Sequence, residues 1–307
     1  MDKVLYDMMD WAGIEELVYS EAANPHEMLG PHITEQGLLV QTFIPTAKEI
    51  TVKMKKGGQE YPMELMEEPG FFAVLIPQKT ITDYTLVVSY DNGDVQEMGD
   101  PYAYAPQFED GELKKFEAGI YYDVYEKMGA HVMEINGVKG VYFAVWAPCA
   151  IRVSVAGNFN MWDGRRHQMR RLGDSGVFEL FIPGLDVGTV YKYEVKAKNG
   201  DAMLKADPYG NYAELRPNNA SIVWDINHYQ WNDKSWMKER KKEEKKQKPM
   251  SIYEMHLGSW IRKPIQTDEN GTAIVGSEFY NYREIAEKLA VYMKEMGYTH
   301  VELMPVM

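Results

Sequence analysis

The stretch Ala156-Gly157-Asn158-Phe159-Asn160-Met161-Trp162-Asp163-Gly164 sets one indole among amides and a carboxylate, directly after an apolar strand. Gly and Asn permit a tight turn, and such a turn lifts Trp162 out beside hydrogen-bonding groups. A flat aromatic face next to Asn158 and Asp163 suits a sugar ring, whose C–H face packs on the indole while its hydroxyls meet amide and carboxylate. The same residues also fit a tryptophan that caps the end of a β core. Lys192 adds a cation: Tyr191, Tyr193 and Val195 make the apolar face of their strand, so Lys192 and Glu194 point the other way. A plain solvated lysine would show the same pattern. Further on, His256 and Trp260 fall at or beyond the end of a strand, where they either face a substrate or pack the following loop. Glu254 and Glu302 lie inside strands and are not expected to be catalytic.

The elements that must position these residues repeat at a period of roughly 100 residues, long enough for each copy to be a domain. Met28-Leu29-Gly30-Pro31-His32 finds an echo in Met128-Gly129-Ala130-His131, and Phe43-Ile44-Pro45 in Trp146-Ala147-Pro148. Gly70-Phe71-Phe72 through Pro77 corresponds to Gly176-Val177-Phe178 through Pro183, and both copies close on Asp-Pro-Tyr, at 100–102 and 207–209. Alternating runs such as Ile151-Arg152-Val153-Ser154-Val155, bounded by turn signals at Asn92-Gly93 and Asn199-Gly200, predict short half-buried strands. Two β-sandwiches of immunoglobulin-like architecture are expected.

The last segment reads differently. Ile252–Leu257 and His300–Met304 are predicted as strands, with an amphipathic helix between them marked by Tyr282, Ile285, Ala286, Leu289, Ala290, Met293 and Met296. Asn281 and Glu284 form a capping box, and Gly297 supplies the left-handed stop. A β-α-β unit of this kind opens a parallel (β/α)8 barrel, expected here to be cut short at Met307. The reading is therefore mostly β: a helical lead at 1–24, sandwiches at 25–110 and 111–228, a charged linker at 229–250, and a barrel start at 251–307.

Composition narrows the partners. A net charge of −13 over 307 residues disfavours nucleic acid and anionic membranes, while a neutral polymer would be indifferent to it. The one cysteine, Cys149, allows no internal disulfide and no Cys-rich metal site, and neither metal nor cofactor is expected. The start lacks a signal-peptide pattern, and no apolar run approaches the roughly 20 residues of a membrane span, so a cytoplasmic protein is expected.

Gly157–Gly164 together with Asp207-Pro208-Tyr209 resembles the family-48 carbohydrate-binding modules, which bind starch and glycogen. The resemblance implies glycan contact through Trp162, Lys192 and Asn158. Binding members usually carry a second aromatic platform in the turn before Asp-Pro, and 199–206 has none, which implies weak binding or a supporting role. Tyr253–Trp260 with Gly297–Met307 resembles the first two barrel strands of 1,4-α-glucan branching enzymes of the α-amylase superfamily, and Ala22–His32 resembles the extra N-terminal module of bacterial members. That family transfers an α-1,4-glucan segment to a glucan 6-hydroxyl by retaining double displacement, with its carboxylates on later strands. The chain alone is accordingly expected to be inactive on glycogen or amylose-like chains. The alternative is a non-catalytic α-glucan-binding protein.

Overall fold

The computed structural model describes residues 3–66, 68–242 and 248–306. Two compact units divide the chain, Met1–Tyr229 and Gln230–Met307. The first opens with helices α1 (Lys3–Asp7) and α2 (Trp11–Val18), which bury Leu5, Ile14 and Leu17. Eight strands follow: β1 (Gly30–Ile33), β2 (Leu38–Phe43), β3 (Ala47–Met54), β4 (Glu60–Pro62), β5 (Glu64–Leu65), β6 (Phe71–Ile76), β7 (Tyr84–Tyr90) and β8 (Val95–Met98). They form two antiparallel sheets, ordered β1-β2-β6-β5 and β4-β3-β7-β8. Alternation works here as it should: Leu38, Val40, Phe72 and Ile76 from one sheet pack against Ile50, Val52, Leu86 and Val88 from the other.

Helix α3 (Asp110–Glu117) leads to the second repeat: β9 (Gly129–Ile135), β10 (Val138–Trp146), β11 (Ala150–Gly157), β12 (Arg170–Arg171), β13 (Val177–Pro183), β14 (Val190–Ala197), β15 (Ala202–Lys205), β16 (Tyr212–Ala213) and β17 (Ser221–Ile222). One sheet runs β12-β13-β10-β9, and the other runs β11-β14-β17-β16 with β15 beside β14. The copies agree in detail. Tyr84 OH donates to Asp100 at 2.5 Å and Tyr191 OH to Asp207 at 2.6 Å. Their first long strands, β3 and β11, carry a bulge at matching places, between Ala47 and Glu49 and between Ala150 and Arg152.

Both faces of several strands are buried, which strict alternation does not foresee. The outer residues of β2 and β6, among them Leu39, Phe43, Phe71 and Ala73, join α1, α2 and the interior of the second repeat in one continuous core. The outer face of β10 and β13 is covered by 104–128, whose Phe108, Leu113 and Phe116 pack on Tyr142 and Phe181. Glu179, which the pattern places toward solvent, lies under that cover. Its carboxylate accepts from Tyr142 OH at 2.8 Å and from the Phe108 N–H at 3.2 Å, with Arg170 3.3 Å away. Paired in this way, a carboxylate can be buried at tolerable cost.

In the second unit, α4 (Lys234–Arg240) takes up part of the predicted linker; Glu243, Glu244, Lys245, Lys246 and Gln247 of the charge run lie outside the described residues. Strands β18 (Ile252–Met255) and β19 (His300–Leu303) pair in parallel, and α6 (Tyr282–Met296) connects them. Both bonds of the capping box are present, Glu284 N–H to Asn281 Oδ1 at 3.0 Å and Asn281 N–H to Glu284 at 2.9 Å, and Gly297 takes φ 75°. The first strand is shorter than the expected 252–257. After Met255 the chain turns into α5 (Leu257–Trp260), because the Ser259 and Trp260 N–H groups bond back to His256 O instead of to a neighbouring strand. Among the described residues no helix is long and apolar enough to cross a membrane, and no His/Cys/Asp/Glu cluster has the form of a metal site.

Candidate functional site

The loop after β11 is built from the inside out. Asn160 is fully buried: its Oδ1 accepts from the Gly157 N–H at 2.9 Å, and its amide donates to Val155 O and to His167 Nδ1, each at 2.9 Å. Burial lowers the His167 pKa to about 3, so the ring is neutral and its Nδ1 can accept. Pinned at Asn160, the chain curls back until the Trp162 N–H reaches Gly157 O at 2.9 Å. That curl forces Met161 and Trp162 into left-handed backbone, φ 56° and 61°, a conformation that costs side-chain-bearing residues energy and tends to persist where a loop has a task.

A second brace fixes the far end of the loop. Arg152, on the outer face of β11, bonds Ser154, donates to Gly164 O at 3.0 Å and pairs with Glu194 on β14. A Cβ at Gly164 would fall on the Glu194 carboxylate, the far end of a side chain, so a larger residue there would displace Glu194 from its pairing with Arg152. Burial pushes the Asp163 carboxyl up, but its bonds from Arg165 outweigh that and hold it below the ordinary range.

On this frame the predicted residues fall as follows. Trp162 is half-buried, and its indole N–H donates to Oδ1 of exposed Asn158 at 2.8 Å. The ring face, rather than the N–H, is thus what Trp162 can offer a ligand, while Asn158 keeps its amide donors. Lys192 leaves β14 opposite Ala156, on the same outer face as Arg152 and Glu194. Its Nζ donates to Asn219 Oδ1 at 2.5 Å. Asn219 was not singled out from the sequence; it comes from a loop that Glu214 holds through the Ala220 N–H and Asn218 amide. An aromatic face, amides and one ammonium in a shallow surface can bind a neutral polyhydroxyl.

The other two predicted residues belong to the second unit. His256 is exposed, with Nδ1 3.0 Å from Ser259 Oγ. Trp260 turns inward: its indole donates to Tyr253 OH at 3.0 Å and meets Tyr292 of α6 edge-on at 5.5 Å. Of the two readings available for Trp260, the geometry is that of packing.

Residues 10–102 match the alpha-1,4-glucan branching enzyme GlgB N-terminal domain, and residues 127–210 match carbohydrate-binding module 48, the isoamylase N-terminal domain. The 1,4-alpha-glucan branching enzyme GlgB of Thermosynechococcus vestitus is 44% identical over 310 residues, covering 95% of this chain and 40% of that protein. Its counterpart from a Nostoc strain is 42% identical over 311 residues with the same coverage. A solved structure, a putative alpha amylase from Salmonella typhimurium, is 26% identical over 58% of this chain and 24% of its own, at a TM-score of 0.40. The chain thus spans about two fifths of the length of the curated relatives. It carries a GlgB-type N-terminal domain followed by a carbohydrate-binding module 48, and over nearly its whole length it corresponds to the N-terminal part of the 1,4-alpha-glucan branching enzymes.

Proposed function

We propose that the chain is the glucan-gripping N-terminal portion of an enzyme that transfers an α-1,4-glucan segment to a 6-hydroxyl, forming the α-1,6 branches of glycogen in the cytoplasm. The observation that carries this is the 44% identity to a branching enzyme along 95% of the chain, through both modules and the β-α-β segment. In this reading 251–307 is the opening of the catalytic (β/α)8 barrel, and the two repeats are immunoglobulin-like sandwiches that bring the polymer to it. A glucan lies on the face of Trp162, donors from Asn158 and Lys192 take its hydroxyls, and Asn219 orients the ammonium.

The chemistry belongs to groups beyond these residues. Retaining transfer needs one carboxylate to attack the anomeric carbon while a second acid, across the scissile bond, protonates the leaving oxygen. Glu254 and Glu302 are register partners on neighbouring parallel strands and point from the same sheet face. Side by side, they would reach a sugar from one direction and cannot flank it. The 307-residue chain should therefore leave the iodine spectrum of amylose unchanged, and loss of the amylose colour would sink this division of labour. In a glycogen-containing native gel the chain should be retarded and Trp162→Ala released; equal mobility of the two would remove Trp162 from the site. A purely glucan-binding protein is the second reading, favoured by a surface that is complete within Met1–Tyr229.

A further inference from the structure

The Asn160–His167 bond beneath the Trp162 turn can form in only one protonation state of the ring. Asn160 Oδ1 is taken by the Gly157 N–H, which fixes the way round of the amide, and Nδ2 gives one of its hydrogens to Val155 O. The other points to His167 Nδ1 at 2.9 Å, so that nitrogen must carry a lone pair and the ring proton sits on Nε2. A second proton, on Nδ1, would set N–H against N–H where Asn160 is fully buried and His167 is 8% exposed. Turning the amide over would mend that contact and break the bonds to Gly157 and Val155. The closed turn therefore has no arrangement that accepts a charged ring.

The surroundings work in the same sense. Burial, with Arg166 beside the ring, lowers the His167 pKa from 6.5 to about 3, and Asp163, itself engaged by Arg165, opposes the shift without cancelling it. Phe159 meets the ring edge-on at 5.3 Å, and β11 reaches the His167 carbonyl through the Val155 N–H at 3.0 Å. Tyr102 of the first repeat bonds the backbone on either side, at Arg166 O and the Gln168 N–H. An opened turn would return the ring to water and to its ordinary value. Closure is thus at full strength above about pH 6.5 and weakens as pH falls toward 3, by up to about ten-fold for each unit.

We propose that His167 is the positioning residue of the Trp162 surface, which grips an α-glucan only while that ring is neutral. Protonation at Nδ1 frees Asn160, the left-handed Met161 and Trp162 relax, and the indole leaves the place that Asn158 gives it. The glucan half of this rests on the reading of Trp162 as a glucan contact; the gate does not.

Measurements on the 307-residue chain between about pH 7 and about pH 4.5, with thermal unfolding followed at each pH, separate the halves. In NMR spectra the Trp162 indole N–H resonance, assigned by its absence from Trp162→Phe, should move as the pH falls. In His167→Asn it should stay in place, because the Asn Oδ1 can accept from Asn160 where Nδ1 did and takes up no proton. Affinity for glycogen, read by co-sedimentation, should fall about ten-fold over this range in the unaltered chain and less than about two-fold in His167→Asn. His167→Ala should bind weakly at every pH. An indole resonance that does not move in the unaltered chain, or moves equally in His167→Asn, overturns the gate, as does full binding by His167→Ala. A moving indole with glycogen held equally at every pH, or not held at all, overturns the glucan reading of Trp162 and leaves the gate standing.

Discussion

The two repeats share a scaffold and differ in what is left on its surface. Each places a histidine near a backbone carbonyl, His32 Nε2 3.1 Å from Leu29 O and His131 Nε2 2.9 Å from Met128 O. Each turns its second hairpin with an Asn that donates to an Asp at 2.7 Å, Asn92 to Asp94 and Asn199 to Asp201. Yet the tyrosine of the shared Asp-Pro-Tyr is 6% exposed as Tyr102 and 37% exposed as Tyr209. Tyr102 OH accepts from the Gln168 N–H at 3.0 Å, so the first copy uses its motif to hold the second. The strand end after β3 carries Lys55-Lys56-Gly57-Gly58, whereas the one after β11 carries the strained Trp162 loop. One copy has become a support and the other a candidate binding face.

The largest test of that contrast is a pair of identical substitutions. Tyr102→Ala should destabilise the chain by about 4 kcal/mol, since it empties a packed site and leaves the Gln168 N–H unpaired. Tyr209→Ala should cost about 1 kcal/mol, as expected for a residue largely at the surface. Urea unfolding of both variants measures the difference. Equal losses would mean that the copies are not specialised in this way.

Next in size is a pH effect on the buried carboxylates of the same motif. Burial pushes the Asp100 carboxyl up from 3.8 to about 6, against the opposing bond from Tyr84 OH. The folded chain therefore holds this proton more firmly than the unfolded chain does. The stability it contributes is complete below about pH 3.8 and is lost as pH rises through about 6. A shift of this size amounts to about 3 kcal/mol. Asp207 is raised in the same direction by burial, but it receives two phenols, from Tyr191 at 2.6 Å and Tyr193 at 3.2 Å, where Asp100 has one. Asp100→Asn keeps an acceptor for Tyr84. Its stability relative to the unaltered chain should improve steeply between pH 4 and about 7, more so than for Asp207→Asn. Parallel pH profiles for the unaltered chain and Asp100→Asn would break the argument.

How far the sequence carried this picture follows from where each interaction comes from. The repeat, the caps of α6 and the Trp162–Asn158 pair were legible because their partners lie within a few residues or recur in order. Asn219 was not, because it reaches Lys192 across 27 residues from a loop with no pattern of its own. The burial of Glu179 was not legible either, because its cover comes from Phe108, 71 residues earlier. The end of β18 was misread for a local reason: beyond Met255 no ladder bond remains for 257, and bonds to His256 O take over. Trp260 then follows the turn toward Tyr253.

The smallest effect concerns the outer faces of β7 and β14. In the first repeat this face satisfies itself: Thr85 OH and Lys53 Nζ both donate to Glu97, each at 2.8 Å. The matching position to Thr85 is Lys192, and Ala156 stands where Lys53 does, so no carboxylate from the same sheet claims the ammonium. Asn219 holds it instead, a neutral partner that leaves the charge and two of its N–H donors for a ligand. Lys192→Met should thus change stability by less than about 0.5 kcal/mol and weaken glycogen retention about three-fold. Thr85→Val, at the equivalent place in the first repeat, should leave retention unaltered. Asn219→Ala should lower retention by a smaller factor than Lys192→Met, and nothing further should be lost when the two are combined, since the amide acts only by orienting the ammonium. Additive losses would give Asn219 a glucan contact of its own, and a loss with Thr85→Val would show that the first repeat's sheet face is also in use.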